Sequence, residues 1–273
     1  MSDGTIRVGQ TEAAYSDDGD GNTSLLLHGF TGNRHTMHDL GDLLGGRRLS
    51  VDLPGHGDTV CAEGGVGFTM SDHIDVVGSL LDARCDTGSP VDVVGYSMGA
   101  RVALSFAVHR PRRVRSLTLI GGSAGLANKK DRRLRLLDDT RLAHSLHSNG
   151  IEAFIERWMS MPMWQTLEQA LGPEGWQASR DQRISNSAQG LAESLIGVGT
   201  GQMPPLHDEL SKLSLPVLLV VGELDEKFRA IANEMAASLP DARVKVAGGT
   251  GHAVHLERPD ACASVIGSFI GPR

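Results

Sequence analysis

The sequence has 273 residues, which is long enough for one large α/β domain with an inserted subdomain and a sizeable core. Hydrophobic residues make up 40% of the chain and charged residues 22%, proportions typical of a globular protein that dissolves in water. The formal net charge of -7 argues against a nucleic-acid partner, which would require a basic surface.

Segment 1–21 lacks the charged and then apolar pattern of a secretory signal, and no apolar run is long enough to span a bilayer. Cys61, Cys85 and Cys262 are odd in number and far apart, so we expect a reducing compartment and no disulfide framework. The histidines form no HExxH-type spacing, and no metal site is predicted. These features favour a cytoplasmic protein that does not associate with membranes.

Six short apolar segments alternate with longer helical stretches along the chain. They are rich in leucine and β-branched residues and are bounded by glycine or proline, which is typical of strands buried on both faces. The segments are SLLLH (24–28), RRLSVDL (47–53), VDVVG (91–95), VRSLTLIGG (114–122), PVLLVVG (216–222) and ARVKVAG (242–248). We therefore predict an α/β fold with a mostly parallel central sheet flanked by helices.

Residues 123–206 interrupt this alternation. The segment contains all three tryptophans and leucines at helical spacing, but no convincing strand. We interpret it as a helical lid inserted into a core formed by residues 1–122 and 207–273. The alternative is that its helices extend the outer layer of the sheet, and the length of the interruption favours the lid.

Residues 95–99 read GYSMG, between the apolar strand VDVV and the helical sequence RVALSFAV. A strand, G-x-S-x-G and a helix together form the nucleophile elbow of the α/β-hydrolase fold. The glycines allow a strained turn to pass close to its neighbours, and the helix N-terminus favours developing negative charge. The pattern therefore predicts Ser97 as the central residue of a catalytic triad.

In this fold the other two members of the triad follow the serine in the order acid, histidine. Asp225 comes just after the strand PVLLVVG, and His252 lies in a glycine-rich loop after the next strand. His252 would take the proton of Ser97 while Asp225 orients the imidazole. Asp225 could instead be an ordinary helix N-cap, with Glu223 as the acid. His252 could be a surface histidine, with His255 as the base, but position and order favour the first assignment.

The sequence LLLHGFTGN follows an early strand with a His-Gly pair, where the fold requires a donor for an oxyanion. We expect the backbone amides of Phe30 and Met98 to form the oxyanion hole. His28 and His56 are interpreted as structural residues of two tight loops.

Arg101 lies one helical turn after Ser97 and on the same face of the helix. Its neighbours are apolar, so the guanidinium should be buried and should require an anionic partner. That partner could be a carboxylate of the scaffold or a carboxylate of a substrate in the catalytic pocket. The residues alone leave these two possibilities nearly even.

Several longer motifs resemble one family, the 2-succinyl-6-hydroxy-2,4-cyclohexadiene-1-carboxylate synthases of menaquinone and phylloquinone biosynthesis. The similarity extends over residues 25–270 and includes the lid. The motifs are HGFTG, DLPGHG, GYSMGARVAL, GGSAGL before an arginine-rich helix, RISNSAQGLAESLIGVGTG and ELDEKFRAIA. One departure is Ala100, where the motif has a second glycine after the serine.

The resemblance implies a substrate with three carboxylates and a pocket with several arginines. The family's basic residues match Arg101, Arg135 and Arg183 here, and Tyr96 and Trp158 match other pocket positions. A guanidinium suits this task because its planar fork binds a carboxylate in a bidentate manner.

The alternative for the two lid arginines, Arg135 and Arg183, is a solvated helix face, which is how we interpret the neighbouring Arg132 and Arg133.

The resemblance also implies a lyase on a hydrolase scaffold. The His252–Asp225 pair would make Ser97 a base that removes a ring proton, and the resulting anion would expel pyruvate without any cofactor. A carbon–carbon bond hydrolase or a carboxylesterase could use the same triad, and a noncatalytic binding protein could use the same fold. The arginines favour a small polycarboxylate substrate, and an intact triad argues against a mere binding role.

Overall fold

A computed structural model describes residues 2–61, 68–86 and 88–271 of the chain. The strands in these ranges are β1 (Ser2–Val8), β2 (Thr11–Asp18), β3 (Thr23–Leu27), β4 (Arg47–Val51), β5 (Val60–Cys61), β6 (Val91–Tyr96), β7 (Val114–Ile120), β8 (Val217–Gly222) and β9 (Ala242–Ala247). They form one sheet in the order β1-β2-β4-β3-β6-β7-β8-β9, with β5 beside β2.

The six strands predicted from the sequence are the six parallel strands of this sheet. Pairing is parallel from β4 through β3, β6, β7 and β8 to β9. Because neighbouring parallel strands run in one direction, the segments that follow them meet at one edge of the sheet. The predicted fold class, a mostly parallel sheet flanked by helices, is confirmed.

The N-terminal strands were not anticipated. β1 pairs antiparallel with β2, and β2 pairs antiparallel with β4. Near its end, β2 contains the buried acid Asp17 among other polar residues. The carboxylate is satisfied by Arg47 at 2.7 Å and Arg84 at 2.6 Å, so a polar strand can sit inside the fold.

The helices surround the sheet and account for most of the remaining chain. They are α1 (His38–Leu44), α2 (Met70–Arg84), α3 (Met98–His109), α4 (Lys129–Met159), α5 (Gln165–Ile184), α6 (Ala188–Val198), α7 (His207–Leu210), α8 (Glu226–Ser238), α9 (Val254–Glu257) and α10 (Pro259–Ile270), with 3₁₀ turns at Arg34–Met37, Pro111–Arg113 and Pro162–Trp164. The long helix α4 changes direction at Gly150, where φ is 78°.

Alternate residues of the parallel strands pack into two separate cores. Leu25 and Leu27 of β3 lie in one cluster, with α2 and α3, whereas Leu26 lies in the other, with α1 and α10. The strands β3, β6 and β8 are therefore apolar on both faces, because each face is covered by helices. This burial explains why continuous apolar runs marked these strands in the sequence. The expected burial on both faces is wrong for β9, which lies at the edge of the sheet and is partly exposed along its length.

Residues 123–206 contain helices α4, α5 and α6 and no strand. They enclose an apolar cluster of their own, with α4 packed against α6. α6 also lies directly on the core: a Cβ atom at Gly197 would come within 1.7 Å of the backbone oxygen of Phe68.

Across the described ranges, no helix is long and apolar enough to cross a bilayer. The same residues contain no cluster of three or more His, Cys, Asp or Glu side chains that could hold a metal ion.

Gly99 and Gly267 offer a matched test of how closely α3 is packed. A Cβ at Gly99 would lie 2.2 Å from the backbone oxygen of Leu27, whereas one at Gly267 in α10 would meet no atom within 4 Å. Gly99→Ala should lower the free energy of unfolding by about 1–3 kcal/mol through overpacking. Gly267→Ala should raise it by about 0.5–1 kcal/mol, because alanine favours the helix. Urea denaturation measures both values, and equal changes in the two variants would contradict the proposed packing.

Candidate active site

Ser97 occupies a strained turn between β6 and α3. Its backbone has φ 51° and ψ -104°, a conformation that non-glycine residues rarely adopt. The Ser97 amide donates to the oxygen of Ile120 at 2.8 Å. A Cβ at Gly95 would lie 2.4 Å from the oxygen of Gly99, so the turn requires glycine there. The glycines of the motif are thus explained by close backbone approach.

The structure brings Ser97, His252 and Asp225 into one hydrogen-bonded chain. The Nε2 atom of His252 lies 3.0 Å from Ser97 Oγ, and its Nδ1 atom lies 2.7 Å from Asp225 Oδ2. An ionised Asp225 can only accept, so Nδ1 carries the proton and Nε2 is left to accept from the serine hydroxyl. This is the arrangement in which an imidazole can act as a base towards the serine.

The rival acid and base lie elsewhere. Glu223 is exposed and its Oε2 accepts from the amide of Gly249 at 2.8 Å. His255 is buried, with its ring centroid 4.2 Å from that of Tyr96. Burial, reinforced by the proximity of His252 and of the Arg183 cation, lowers the pKa of His255 to about 3.

Two features hold the His252 ring and its loop in place. Gly121, with φ 57°, leaves room for the imidazole, because a Cβ there would lie 2.8 Å from its Cε1 atom. Glu257 is buried and accepts from the amides of Gly251 at 2.7 Å and Ala253 at 3.1 Å, the two neighbours of His252. Sequence reasoning missed Glu257. The only signal in the sequence is that an acidic residue lies shortly after His252.

Phe30 and Met98 both border the cavity beside Ser97, as the predicted oxyanion hole requires. Met98 begins α3, where the first amides of a helix have no acceptor within it. His28 has the expected structural role: Nε2 accepts from the Leu53 amide at 2.9 Å, and Nδ1 lies 2.8 Å from the oxygen of Gly29. Burial lowers the pKa of His28, so this ring is neutral.

A cavity of about 520 Å³ opens above Ser97, between the sheet and the helices of residues 123–206. Tyr96, Trp158 and Arg101 line it. Tyr96 Oη and Trp158 Nε1 are buried and have no hydrogen-bond partner among the residues that the structure covers.

The Arg101 guanidinium donates to the backbone oxygen of Val198. Within the described part of the chain it forms no salt bridge with a carboxylate, which favours a substrate carboxylate over a scaffold carboxylate as its partner. Burial, together with the nearby charge of Arg135, lowers the pKa of Arg101 to about 10. The group is still protonated at neutral pH, and the cavity leaves space for an anion beside this cation.

The two predicted lid arginines differ. Arg135 lines the cavity, and its Nε donates to Asp139 Oδ1 at 2.7 Å. Arg183 is not among the cavity-lining residues, but it is buried rather than solvated. Its guanidinium donates to Thr31 Oγ1 and lies 5.0 Å from the ring centre of Trp164. Burial lowers the pKa of Arg183.

Arg183 therefore contacts the loop that carries Phe30. Thr31 has φ 66° and is fully buried. The side chain of Asn186 also donates to the oxygen of Thr31, at 3.0 Å, and accepts from the amide of Gly57 at 2.9 Å. Asn186 thus joins the link between α5 and α6 to two loops of the core, and sequence reasoning did not identify it.

Two further cations border the cavity, Arg157 of α4 and Lys227 of α8. Both are exposed, and neither was predicted. Charged residues on helices are common at surfaces, so only their position around the cavity distinguishes them.

The chain is similar to known proteins. It matches the Alpha/beta hydrolase family over residues 25–265. A Bacillus subtilis protein named "Putative 2-succinyl-6-hydroxy-2,4-cyclohexadiene-1-carboxylate synthase" is 33% identical over 98% of both chains. The Salmonella typhimurium 2-succinyl-6-hydroxy-2,4-cyclohexadiene-1-carboxylate synthase is 32% identical over 86% of this chain and 88% of its own length.

Solved structures agree with this relationship. The MenH structure from S. aureus superposes with a TM-score of 0.88 at 31% identity, over 94% of this chain and 97% of that one. Esterases such as the one from Thermogutta terrifontis share the fold, with a TM-score of 0.83 at 24% identity. The chain therefore belongs to the α/β-hydrolase family and, within it, to the 2-succinyl-6-hydroxy-2,4-cyclohexadiene-1-carboxylate synthases.

Proposed function

We propose that this protein eliminates pyruvate from 2-succinyl-5-enolpyruvyl-6-hydroxy-3-cyclohexene-1-carboxylate to give 2-succinyl-6-hydroxy-2,4-cyclohexadiene-1-carboxylate, in menaquinone biosynthesis. One observation carries the proposal. The Ser97–His252–Asp225 chain faces a cavity lined by a half-buried cation, Arg101, which forms no salt bridge with a carboxylate of the described residues. Relatives that bear this activity in their names match almost the whole chain.

The bond changes follow from the structures of substrate and product. The ring double bond at C3=C4 is replaced by two, at C2=C3 and C4=C5, while the oxygen at C5 departs with the enolpyruvyl group. The ring therefore loses a proton from C2, and its electrons move through the ring to break the C5–O bond. The leaving enolpyruvate takes up a proton and becomes pyruvate, so the reaction balances without a cofactor.

Ser97 is suited to act as the base in this reaction. C2 carries the succinyl ketone, which makes its hydrogen acidic. The hydroxyl of Ser97 is hydrogen-bonded to His252, so the C2 proton can be passed to the pair while Asp225 stabilises the imidazolium. No acyl-enzyme is needed, because no acyl group is transferred.

Removal of the C2 proton places negative charge on the ketone oxygen. The amides of Phe30 and Met98, beside Ser97, are proposed to stabilise that charge. One such donor contributes on the order of 3 kcal/mol in other enzymes. Arg183 is proposed to act indirectly, by holding Thr31 next to Phe30, because it does not line the cavity. This replaces the direct substrate contact expected for Arg183.

The remaining polar residues of the cavity suit the three carboxylates of the substrate. Arg101 and Arg135 supply guanidinium groups, and Tyr96 and Trp158 line the cavity beside them. An esterase or carbon–carbon hydrolase of neutral substrates would have no use for these cations. We further propose that the ligand is a small polycarboxylate and that the enzyme works in the cytoplasm, where unpaired cysteines such as the buried Cys262 are stable.

Asp225→Asn should reduce kcat for pyruvate release by roughly 10³–10⁴-fold, because an amide at this position favours the wrong imidazole tautomer. Glu223→Gln is the matched control, since it removes the same charge from a carboxylate two residues away that does not contact His252. It should leave kcat within about threefold of the wild-type value, less than 1 kcal/mol of barrier. A larger loss in Glu223→Gln than in Asp225→Asn would transfer the role of the acid to Glu223.

Arg101→Gln and Arg135→Gln should lower kcat/KM for the native substrate far more than for a small neutral ester such as p-nitrophenyl acetate. Loss of one partner of a desolvated charge pair costs about 2–5 kcal/mol, and the ester has no carboxylate to lose. Arg133→Gln, on the exposed face of α4, serves as the control and should affect neither substrate. Equal losses on both substrates would mean that Arg101 and Arg135 only support the scaffold.

Arg183→Gln should behave differently from these two variants. If Arg183 acts through the loop of Phe30, the kcat of the native substrate and that of p-nitrophenyl acetate should fall by similar factors, because both reactions require the oxyanion donors. The two kcat ratios, each taken as variant over wild type, provide the measurement. A loss confined to the native substrate would instead restore a direct contact between Arg183 and a carboxylate.

A further inference from the structure

A fully buried carboxylate, Asp139, lies behind the cavity wall in α4. Its Oδ1 atom accepts from Arg135 Nε at 2.7 Å, and its Oδ2 atom accepts from the amide of Gly201 at 3.4 Å. Asp139 itself does not line the cavity, whereas Arg135 does. A buried charge is unfavourable unless it is paired, so the ion pair between Arg135 and Asp139 fixes the positions of both side chains.

The chain is shaped closely around this carboxylate. A Cβ at Gly199 would lie 2.4 Å from Asp139 Oδ2, and one at Gly201 would lie 2.4 Å from the amide of Leu136. The segment that follows α6 can therefore approach Asp139 only because it has glycine at both positions. Little space remains for the carboxylate to move, and the Arg135 guanidinium bound to it is restrained as well.

Asp139 occupies only one edge of the Arg135 guanidinium. The contact is made through Nε, and among the residues with described positions no other hydrogen bond or ion pair engages Arg135. The two terminal amino groups stay available on a side chain that faces the cavity. A guanidinium held by Nε can thus present a second, parallel pair of donors to a ligand carboxylate.

Asp139 also affects Arg101. Burial and, after it, the charge of Arg135 lower the pKa of Arg101, and the charge of Asp139 acts on it in the opposite direction. Two guanidinium groups in one cavity repel each other, and a buried carboxylate beside them offsets this repulsion when no substrate is bound.

We propose that Asp139 is a positioning residue for substrate recognition, one that fixes Arg135 so that its terminal amino groups meet a substrate carboxylate. The proposal rests on the proposed function, because it assumes a polycarboxylate ligand. Asp139 does not touch the substrate, and its effect on binding passes through Arg135.

The direction in which KM changes separates this positioning role from a simple electrostatic effect of the Asp139 charge on the ligand. A negative charge close to a polyanionic ligand weakens binding if it acts only through its field, so its removal should lower KM. If Asp139 instead holds Arg135 in the binding orientation, removal of its charge should raise KM. The two explanations predict opposite directions.

Asp139→Asn is the test, and Asp138→Asn is the matched control. Asp138 is the adjacent residue, lines the cavity and pairs with Arg141 at 2.9 Å, but it makes no contact with Arg135. In steady-state assays of pyruvate release, Asp139→Asn should raise KM at least about tenfold, as expected when a charge-assisted contact is lost, with kcat within about threefold. Asp138→Asn should show an unchanged or lower KM. An unchanged or lower KM in Asp139→Asn would overturn the proposal.

Arg135→Lys provides a second test that does not alter the buried position. A lysine has one ammonium group, which Asp139 would capture, leaving no second pair of donors for the substrate. The KM of Arg135→Lys should therefore be as high as that of Arg135→Gln. A wild-type KM in Arg135→Lys would overturn the proposal even if Asp139→Asn failed to fold.

The activity of the wild-type enzyme distinguishes a failure of the proposed function from a failure of the proposed role of Asp139. If it releases no pyruvate from the native substrate, the proposed function itself fails. If it is active and neither Asp139→Asn nor Arg135→Lys raises KM, only the positioning role of Asp139 is lost.

Discussion

The left-handed backbone of Ser97 is the constraint on which the site depends. A non-glycine residue in such a conformation is unfavourable by about 1–3 kcal/mol and persists only where its surroundings determine it. Here the amide of Ser97 is bonded to β7, and glycines on both sides admit backbone atoms at close range. The turn aims the serine oxygen at His252, which a separate loop holds in place. The strained turn at the end of β6 therefore places the Ser97 hydroxyl where it can react.

The cations around the cavity distinguish this site from other sites that share the same triad geometry. The triad and the oxyanion donors would serve ester hydrolysis as well as proton removal, since the fold hosts many reactions. The cavity above them is bordered by cations, of which Arg101 is paired with no carboxylate in the described ranges. Such a group is stabilised when an anionic ligand arrives. We therefore propose that the arginines adapt the site to a polycarboxylate rather than to a neutral ester.

The parallel strands and the triad could be predicted because each depends on local chemistry. Strands that are buried on both faces must be apolar throughout, and the elbow needs its glycines at fixed offsets. The antiparallel strands β1 and β2 could not, because the polar residues of β2 become acceptable only when distant arginines reach Asp17. Long-range pairing of this kind leaves no periodicity in the sequence.

The same reasoning explains the partial success with the arginines. Arg101 and Arg135 could be placed at the cavity, since a helix that starts at the serine and a helix above it both face the sheet edge. Arg183 was expected there too, but its partner is Thr31, which lies more than a hundred residues earlier in the chain. Glu257 and Asp139 act through backbone amides or through another side chain, and such roles are invisible before the fold is known.

The most direct test of the central claim is the rate of pyruvate release from 2-succinyl-5-enolpyruvyl-6-hydroxy-3-cyclohexene-1-carboxylate by the pure protein. Pyruvate is followed with a coupled dehydrogenase and compared with the rate of spontaneous release and with that of the Ser97→Ala variant. A base-catalysed elimination predicts one pyruvate for each cyclohexadiene formed, at a rate that Ser97→Ala returns close to the spontaneous one. Release no faster than the spontaneous rate, from wild-type protein that still hydrolyses p-nitrophenyl acetate, would contradict the account and identify an esterase.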